Sequence, residues 1–230
     1  MACKNNNIGI VNVKSIGLNE DTNQAVKFDK VCRGFHSGAV TSMDIAIQRP
    51  ILVTASKEDA TIRLWNYYTN TCELAREFYL LEDVTIREAA KPLLSIAMHP
   101  SGYYMAASFL DKIRIYHVLH DQLRHFRNLN VKGVNHMKFS NGGQWFACVD
   151  NKFIRVYDAF TLECIASQKI PQTNITDLKF HYRDLYLAIV TQEGHIYRWK
   201  TSGSLEKDGE GIVDRNNDYR SCTFLTEEIN

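Results

Sequence analysis

The chain has 230 residues, of which 45% are hydrophobic and 23% charged, so it carries enough apolar side chains for a sizeable core and does not have the composition of a disordered protein. Its 27 basic and 26 acidic residues give a net charge of +1, which excludes a strongly basic coat for polyanions and an acidic solvating tail. No stretch is apolar enough for a secretory leader or a membrane helix, and the six cysteines form no CxxC pair. We therefore expect a folded soluble protein with reduced thiols.

In chain order, the first strand-like segments are 8–13 and 25–35, which have the patterns of the third and fourth strands of a repeated unit. Four similar units follow. Their first strands, each closed by an apolar residue, are predicted at 40–45, 93–98, 134–139 and 175–180. Their second strands are almost continuously apolar, as expected for strands covered on both faces, and are predicted at 51–56, 103–109, 144–149 and 185–191.

The third strand of each unit alternates in polarity and ends in an aromatic residue, namely Trp65, Tyr116, Tyr157 and Trp199. These aromatic residues are spaced by 51, 41 and 42 residues, and a period near 41 with four short strands is typical of a WD40 propeller blade. The longer first spacing indicates an insertion at 78–91. Fourth strands are predicted at 72–78, 122–129 and 163–170.

The sequence therefore predicts an all-β fold, a WD40 β-propeller with about four complete four-stranded blades and partial blades at both ends. We interpret the chain as an excerpt of a larger propeller or a truncated gene model, because a blade assembled from its two ends lacks a second strand and leaves sheet edges exposed. The predicted boundaries are a partial blade at 1–35, a blade at 36–78, an insertion at 79–92, blades at 93–130 and 131–170, a blade with a polar loop at 171–218, and the start of another blade at 219–230.

The first unit resembles the WD40 repeat in its residues as well as in its period. It has Phe-His where that family usually has Gly-His, and Trp-Asn in place of Trp-Asp. The resemblance implies a buried hydrogen-bond network that satisfies polar groups inside the blade, formed by His36, Thr54, Asp59 and Trp65. Because the turn before the third strand is one residue longer than usual, Glu58 is the alternative to Asp59 in this network.

Longer motifs, in order over roughly 34–200, resemble the cilia- and flagella-associated protein 57 family: FHSG at 35–38, WNYYTNT at 65–71, HPSG at 99–102 before a DKIR strand, and FSNGG at 139–143. Known members are long axonemal proteins with N-terminal propellers and a later coiled coil, and they help to place and regulate inner dynein arms on doublet microtubules. The chain contains only propeller sequence.

The resemblance implies a non-catalytic scaffold of the ciliary or flagellar axoneme, within the cytoplasmic cytoskeleton. The implied protein partners are inner-arm dynein or its axonemal docking factors and the doublet microtubule, with self-association of the full-length protein left open. The alternative is a cytosolic WD40 adaptor in an unrelated multiprotein complex. Neither nucleic acid nor a membrane is expected as a partner.

Two sets of residues are candidate partner contacts. An arginine recurs at the same position of three third strands, as Arg63, Arg114 and Arg155. Together these residues would form a basic arc for acidic tubulin tails or a dynein subunit. The alternative is that each is the exposed cation common in such strands. The insertion would offer apolar side chains to a partner on a short helix or hairpin, unless they fold back onto the propeller; they begin with Phe78, Tyr79, Leu80 and Leu81.

Motifs of enzyme chemistry are not found: there is no phosphate-binding loop, GxSxG elbow, HExxH helix or GxGxxG turn. His117, His120 and His125 lack an accompanying Cys or carboxylate cluster at metal-ligand spacing, so we interpret them as partly exposed polar residues. We predict no catalytic, cofactor-binding or metal-binding residues. A propeller hydrolase, the rival from another class, would need carboxylates or histidines clustered around the central channel.

Overall fold

The computed structural model describes residues 8–10, 29–32, 36–78, 92–150, 153–169, 174–193, 195–200, 212–213 and 221–222. The strands begin with β1 and β2, at Ile8–Ile10 and Asp29–Cys32, which form an antiparallel pair. The sixteen strands that follow form four antiparallel sheets of four strands, each in simple meander order. This arrangement confirms the predicted all-β propeller of four-stranded blades.

Each blade runs from an innermost to an outermost strand. Blade 1 contains β3 (Val40–Ile45), β4 (Ile51–Ser56), β5 (Thr61–Asn66) and β6 (Thr71–Glu77), and blade 2 contains β7 (Leu93–Met98), β8 (Tyr104–Phe109), β9 (Ile113–Val118) and β10 (Leu123–Leu129). Blade 3 contains β11 (His136–Phe139), β12 (Trp145–Val149), β13 (Phe153–Asp158) and β14 (Cys164–Lys169), and blade 4 contains β15 (Ile175–Phe180), β16 (Tyr186–Thr191), β17 (His195–Lys200) and β18 (Ile212–Val213).

Burial follows the order of the strands within a blade. Every residue of β4 is buried, whereas β14 is mostly exposed. Successive residues of a strand point to opposite faces of its sheet, and both faces of an inner blade pack against neighbouring blades. Apolar residues of the second strands therefore appear almost without interruption, as the sequence predicts.

The core lies between the blades, in separate layers. One apolar cluster joins blade 1 to blade 2 through Ile62, Leu64, Phe109 and Tyr116, among others. Two further clusters join blade 2 to blade 3 and blade 3 to blade 4. The aromatic residue that ends each third strand is buried in these layers or, for Trp65, in a cluster on the opposite face of blade 1. Tyr116, Tyr157 and Trp199 thus pack one blade against the preceding one.

Corresponding turns recur between the third and fourth strands of blades 1 and 3. In blade 1, the Asn66 side chain accepts the amide of Tyr68 at 3.0 Å, and in blade 3 the Asp158 carboxylate accepts the amide of Phe160 at 2.9 Å. Both turns end in a left-handed residue, at Asn70 (φ 57°) and Leu162 (φ 62°). The turns place Tyr68 and Phe160 at equivalent positions of two different blades.

Candidate functional site

The four residues expected to form a hydrogen-bond network in blade 1 lie in one connected chain. The Trp65 indole N–H donates to Thr54 Oγ1 at 2.7 Å, and Thr54 Oγ1 lies 2.8 Å from His36 Nε2. His36 Nδ1 lies 2.8 Å from Asp59 Oδ2. Of the two candidate acids, Asp59 reaches the imidazole, while Glu58 instead accepts the backbone N–H of Ala39 at 3.1 Å.

Chemistry fixes the direction of this chain. A carboxylate only accepts, so His36 carries its proton on Nδ1 and donates to Asp59. Nε2 then accepts from the Thr54 hydroxyl, which in turn accepts from Trp65. The Thr61 hydroxyl donates to the other carboxylate oxygen of Asp59 at 2.8 Å. The Thr54 hydroxyl therefore donates one hydrogen bond and accepts another, both within the blade.

The ionisation of this network is set by burial and by hydrogen bonding. Burial holds the pKa of His36 below its ordinary value, although the Asp59 carboxylate opposes the shift. Burial would raise the pKa of Asp59, but hydrogen bonds from Thr61 and His36 outweigh it, and the pKa is lowered. A neutral imidazole beside a carboxylate therefore ties the loop at His36 to β4 and to the turn before β5.

The three recurrent arginines do not form one exposed arc. Arg114 is only 5% exposed and stacks its guanidinium over the Phe109 ring, 4.5 Å from the centroid, which corrects its assignment as a surface contact. Arg155 pairs with Asp150 at 2.7 Å, and Arg63 is half-buried. Each arginine precedes the aromatic residue of its third strand by two positions, so it lies on the same face of its sheet as that residue.

The first residue of the predicted insertion is a core residue. Phe78 is 3% exposed, packs edge-on against Phe109 with ring centroids 6.3 Å apart, and donates its backbone N–H to the carbonyl of Ala60 at 2.8 Å. Its assignment as a partner contact is therefore corrected: Phe78 closes the layer between blades 1 and 2. Tyr79, Leu80 and Leu81 lie outside the described residues.

The innermost strands line a central cavity of about 270 Å³. Each of these strands contributes a polar residue to the cavity lining: the third residue of β3, β7 and β15, and the first residue of β11, namely Ser42, Ser95, Asp177 and His136. Ser42 Oγ accepts the backbone N–H of Ile96 at 3.1 Å, and Asp177 accepts that of Cys222 at 3.0 Å. The same side-chain position thus binds the neighbouring segment at two places around the channel.

Charged groups in the channel are largely engaged by the fold. Asp44 accepts the backbone N–H of Met98 at 2.8 Å and pairs with Lys138. Burial lowers the pKa of His136, and Asp177 partly opposes this shift. Within the ranges that the structure describes, no group of three His, Cys, Asp or Glu residues is placed to hold a metal ion. No helix in those ranges is long and apolar enough to cross a membrane.

An aromatic cluster lies at the junction of blades 2 and 3. Tyr104, His117 and Phe126, on three successive strands of blade 2, have ring centroids 4.7 and 4.5 Å apart. His99 lies below them and brings in Phe160 of blade 3, at 5.8 Å from Tyr104 and 6.1 Å from Phe160. The sequence predicts His117 only as a partly exposed polar residue. Tyr104 lies directly opposite His117 in the pairing of β8 with β9, and this cross-strand position is the feature of the sequence that connects the two rings.

Comparison with known proteins agrees with this architecture. The family model described as "WD domain, G-beta repeat" matches residues 30–66 and 123–158. Over 201 residues, which are 87% of the chain and 15% of the relative, the chain is 32% identical to "Cilia- and flagella-associated protein 57" of Mus musculus. It is also 32% identical over 65% of the chain to protein 57 A of Tetrahymena thermophila, covering 10% of that protein, and 31% identical over 80% of the chain to protein 57 C, covering 14%. The chain thus spans about 15% or less of the length of these relatives.

Proposed function

We propose that this chain is a non-catalytic scaffold of the ciliary or flagellar axoneme. The premise is that the chain is a WD40-repeat propeller similar to cilia- and flagella-associated protein 57. In this role it helps to dock or regulate inner dynein arms on doublet microtubules. The observation that carries the proposal is the 32% identity to the mouse protein over 87% of the chain, since such similarity extends across all four blades rather than one repeat.

The structure of the blades supports a scaffold role. Among the described residues, the buried histidine and carboxylate of blade 1 are consumed by internal hydrogen bonds, and Asp44 and Asp177 in the channel bind backbone amides. Rigid blades hold their connecting loops in fixed positions, and such loops are where a scaffold gains specificity. Function through surface presentation therefore suits this chain better than hydrolysis at the channel.

The proposal includes candidate residues for the surface that contacts these partners. Arg63 and Arg155 keep partly exposed side chains, and Tyr79, Leu80 and Leu81 of the insertion stand as candidate contacts. Inner-arm dynein, its docking factors and the doublet microtubule are the proposed partners. The boundaries of blades and insertion predicted from the sequence belong to the same proposal, as does self-association of a longer protein.

Axoneme retention tests the proposal. The chain, tagged and expressed in ciliated cells, would be followed through isolation of axonemes and stepwise salt extraction, with a soluble cytosolic protein as the control. We expect retention at low salt and release in the same fractions as inner-arm dyneins, because exposed charge contacts are screened by salt. Recovery of the folded chain only with the cytosolic control would instead favour an adaptor of another complex.

A further inference from the structure

The aromatic cluster between blades 2 and 3 is open to solvent at its outer edge. Phe126 is 40% exposed and Phe160 is 59% exposed, while His99 beneath them is 7% exposed. Single exposed apolar residues are common, but neighbouring exposed aromatic rings mark interaction surfaces. We call Tyr104, His117, Phe126 and Phe160, with their flanking arginines 124 and 127, the aromatic patch.

The patch is held in a fixed geometry from below. His99 Nε2 donates to the carbonyl of Gly143 in blade 3 at 2.9 Å, while Nδ1 accepts from the Ser101 hydroxyl at 2.7 Å. The Arg127 guanidinium lies over the Phe126 ring, 5.0 Å from its centroid, and donates to the Phe160 carbonyl at 3.3 Å. These bonds join the two blades, so the rings are positioned before any ligand arrives, which lowers the entropy cost of binding.

Charge at the patch selects the kind of ligand. Arg124 lies on the same face of β10 as Phe126 and is exposed. No carboxylate within the described ranges forms an ion pair with it. Arg127 extends the positive charge toward blade 3. The nearest carboxylate in the turn, Asp158, is directed at the amides of Phe160 and Thr161 rather than at the arginines. Exposed aromatic rings beside uncompensated cations are complementary to an acidic segment that also carries an apolar side chain.

We propose that the aromatic patch binds an acidic peptide segment of a protein partner, with carboxylates at Arg124 and Arg127 and an apolar or aromatic side chain between Phe126 and Phe160. This inference rests on the proposed scaffold function, for which it supplies a contact surface. It differs from the expected arc of third-strand arginines, because the cations of the patch lie on the outermost strand of blade 2 and one of that arc is buried.

Fluorescence anisotropy tests the inference with the full chain. The probe is a short labelled peptide of glutamates around one central tyrosine, and its counterpart has glutamine at every glutamate. We expect the acidic peptide to bind more tightly and its affinity to fall with added salt, because the arginines are exposed. Equal binding of the two peptides, or no binding of either, would overturn the inference.

Matched variants locate the site. Phe160→Ser and Arg124→Gln change exposed side chains, so each should leave the melting temperature unaltered and weaken binding by about two- to fivefold. Tyr68→Ser is the control, since Tyr68 is 84% exposed in the equivalent turn of blade 1 and is remote from the patch rings. A loss with Tyr68→Ser as large as that with Phe160→Ser would place the binding elsewhere and contradict the inference.

Failure of this inference is distinguishable from failure of the proposed function. Peptide binding that depends on the patch, in a chain that does not stay with axonemes, would leave the inference standing and contradict the axonemal scaffold. Axonemal retention that survives Phe160→Ser and Arg124→Gln, together with no peptide binding, would leave the scaffold standing and remove the patch.

Discussion

Replacing Thr54 with valine should destabilise blade 1 by several kcal/mol. Valine keeps the shape of threonine but removes the hydroxyl that accepts from Trp65 Nε1 at 2.7 Å and contacts His36 Nε2 at 2.8 Å. The three side chains are 0%, 1% and 4% exposed for Thr54, Trp65 and His36, so water does not replace the lost partner. Removing a hydrogen-bond partner from a buried polar group costs about 1–3 kcal/mol, so the two lost contacts together amount to roughly 2–6 kcal/mol.

Urea denaturation followed by tryptophan fluorescence measures this loss. Thr41→Val is the matched control, because Thr41 lies in the same blade but is exposed, and its hydroxyl makes one bond to the Ala55 carbonyl at 3.3 Å. We expect that control to change the free energy of unfolding by less than about 0.5 kcal/mol. If Thr54→Val costs no more than Thr41→Val, the hydroxyl does not hold the network and the reasoning from its geometry is refuted.

Three other predictions address the blade interfaces. Gly143→Ala should lower stability by about 1–3 kcal/mol in a thermal melt, because Gly143 has φ +79° and an added Cβ would lie 2.5 Å from His99 Nε2. An unchanged melting temperature would contradict the close contact between His99 of blade 2 and Gly143 of blade 3. Arg114→Ala should destabilise the fold through lost packing over Phe109, whereas a residue used only for a partner would leave the urea midpoint unchanged. Burial lowers the pKa of His36 and of His99 below 6.5, so the unfolded chain binds protons more readily than the folded one. The stabilisation from the two neutral histidines should be fully present above about pH 6.5, and the free energy of unfolding should fall below that pH by up to ~1.4 kcal/mol per pH unit for each histidine. A urea midpoint that does not change with pH would contradict neutral imidazoles in the folded state.

The strands are predictable from the sequence because they depend on local pattern. The segments predicted at 40–45, 51–56 and 61–66 coincide with β3, β4 and β5. Among the first strands of the four blades, one begins later than predicted: β11 begins at His136 rather than at 134, where the Val134 carbonyl accepts the Ser108 hydroxyl at 2.7 Å instead of a ladder amide. A side chain from the neighbouring blade decides that boundary, and pattern within one strand does not contain it.

The solvent exposure of a side chain is harder to predict in a propeller than in a sheet that has one face in solvent. An alternating strand such as β9 normally indicates an apolar face and a solvent face, which is why Arg114 was expected at the surface. Here the second face of blade 2 packs against blade 1, and Arg114 is covered by stacking on Phe109. The same reasoning applies to Phe78, which was expected to begin an insertion offered to a partner but whose ring packs in the layer between two blades.

Equivalent positions in the repeat acquire different roles through the neighbouring blade. Tyr68 and Phe160 sit in corresponding turns, with the same Asx-type hydrogen bonds and the same left-handed residue two positions later. Phe160 reaches His99 at 6.1 Å and receives Arg127 at its carbonyl, and these contacts come from blade 2. Blades 1 and 3 therefore share the same turn, and the chemistry of the adjoining outer strand determines which of the two turns becomes a binding surface. In this chain that strand is β10, because it alone among the described outermost strands combines an exposed phenylalanine with two flanking arginines.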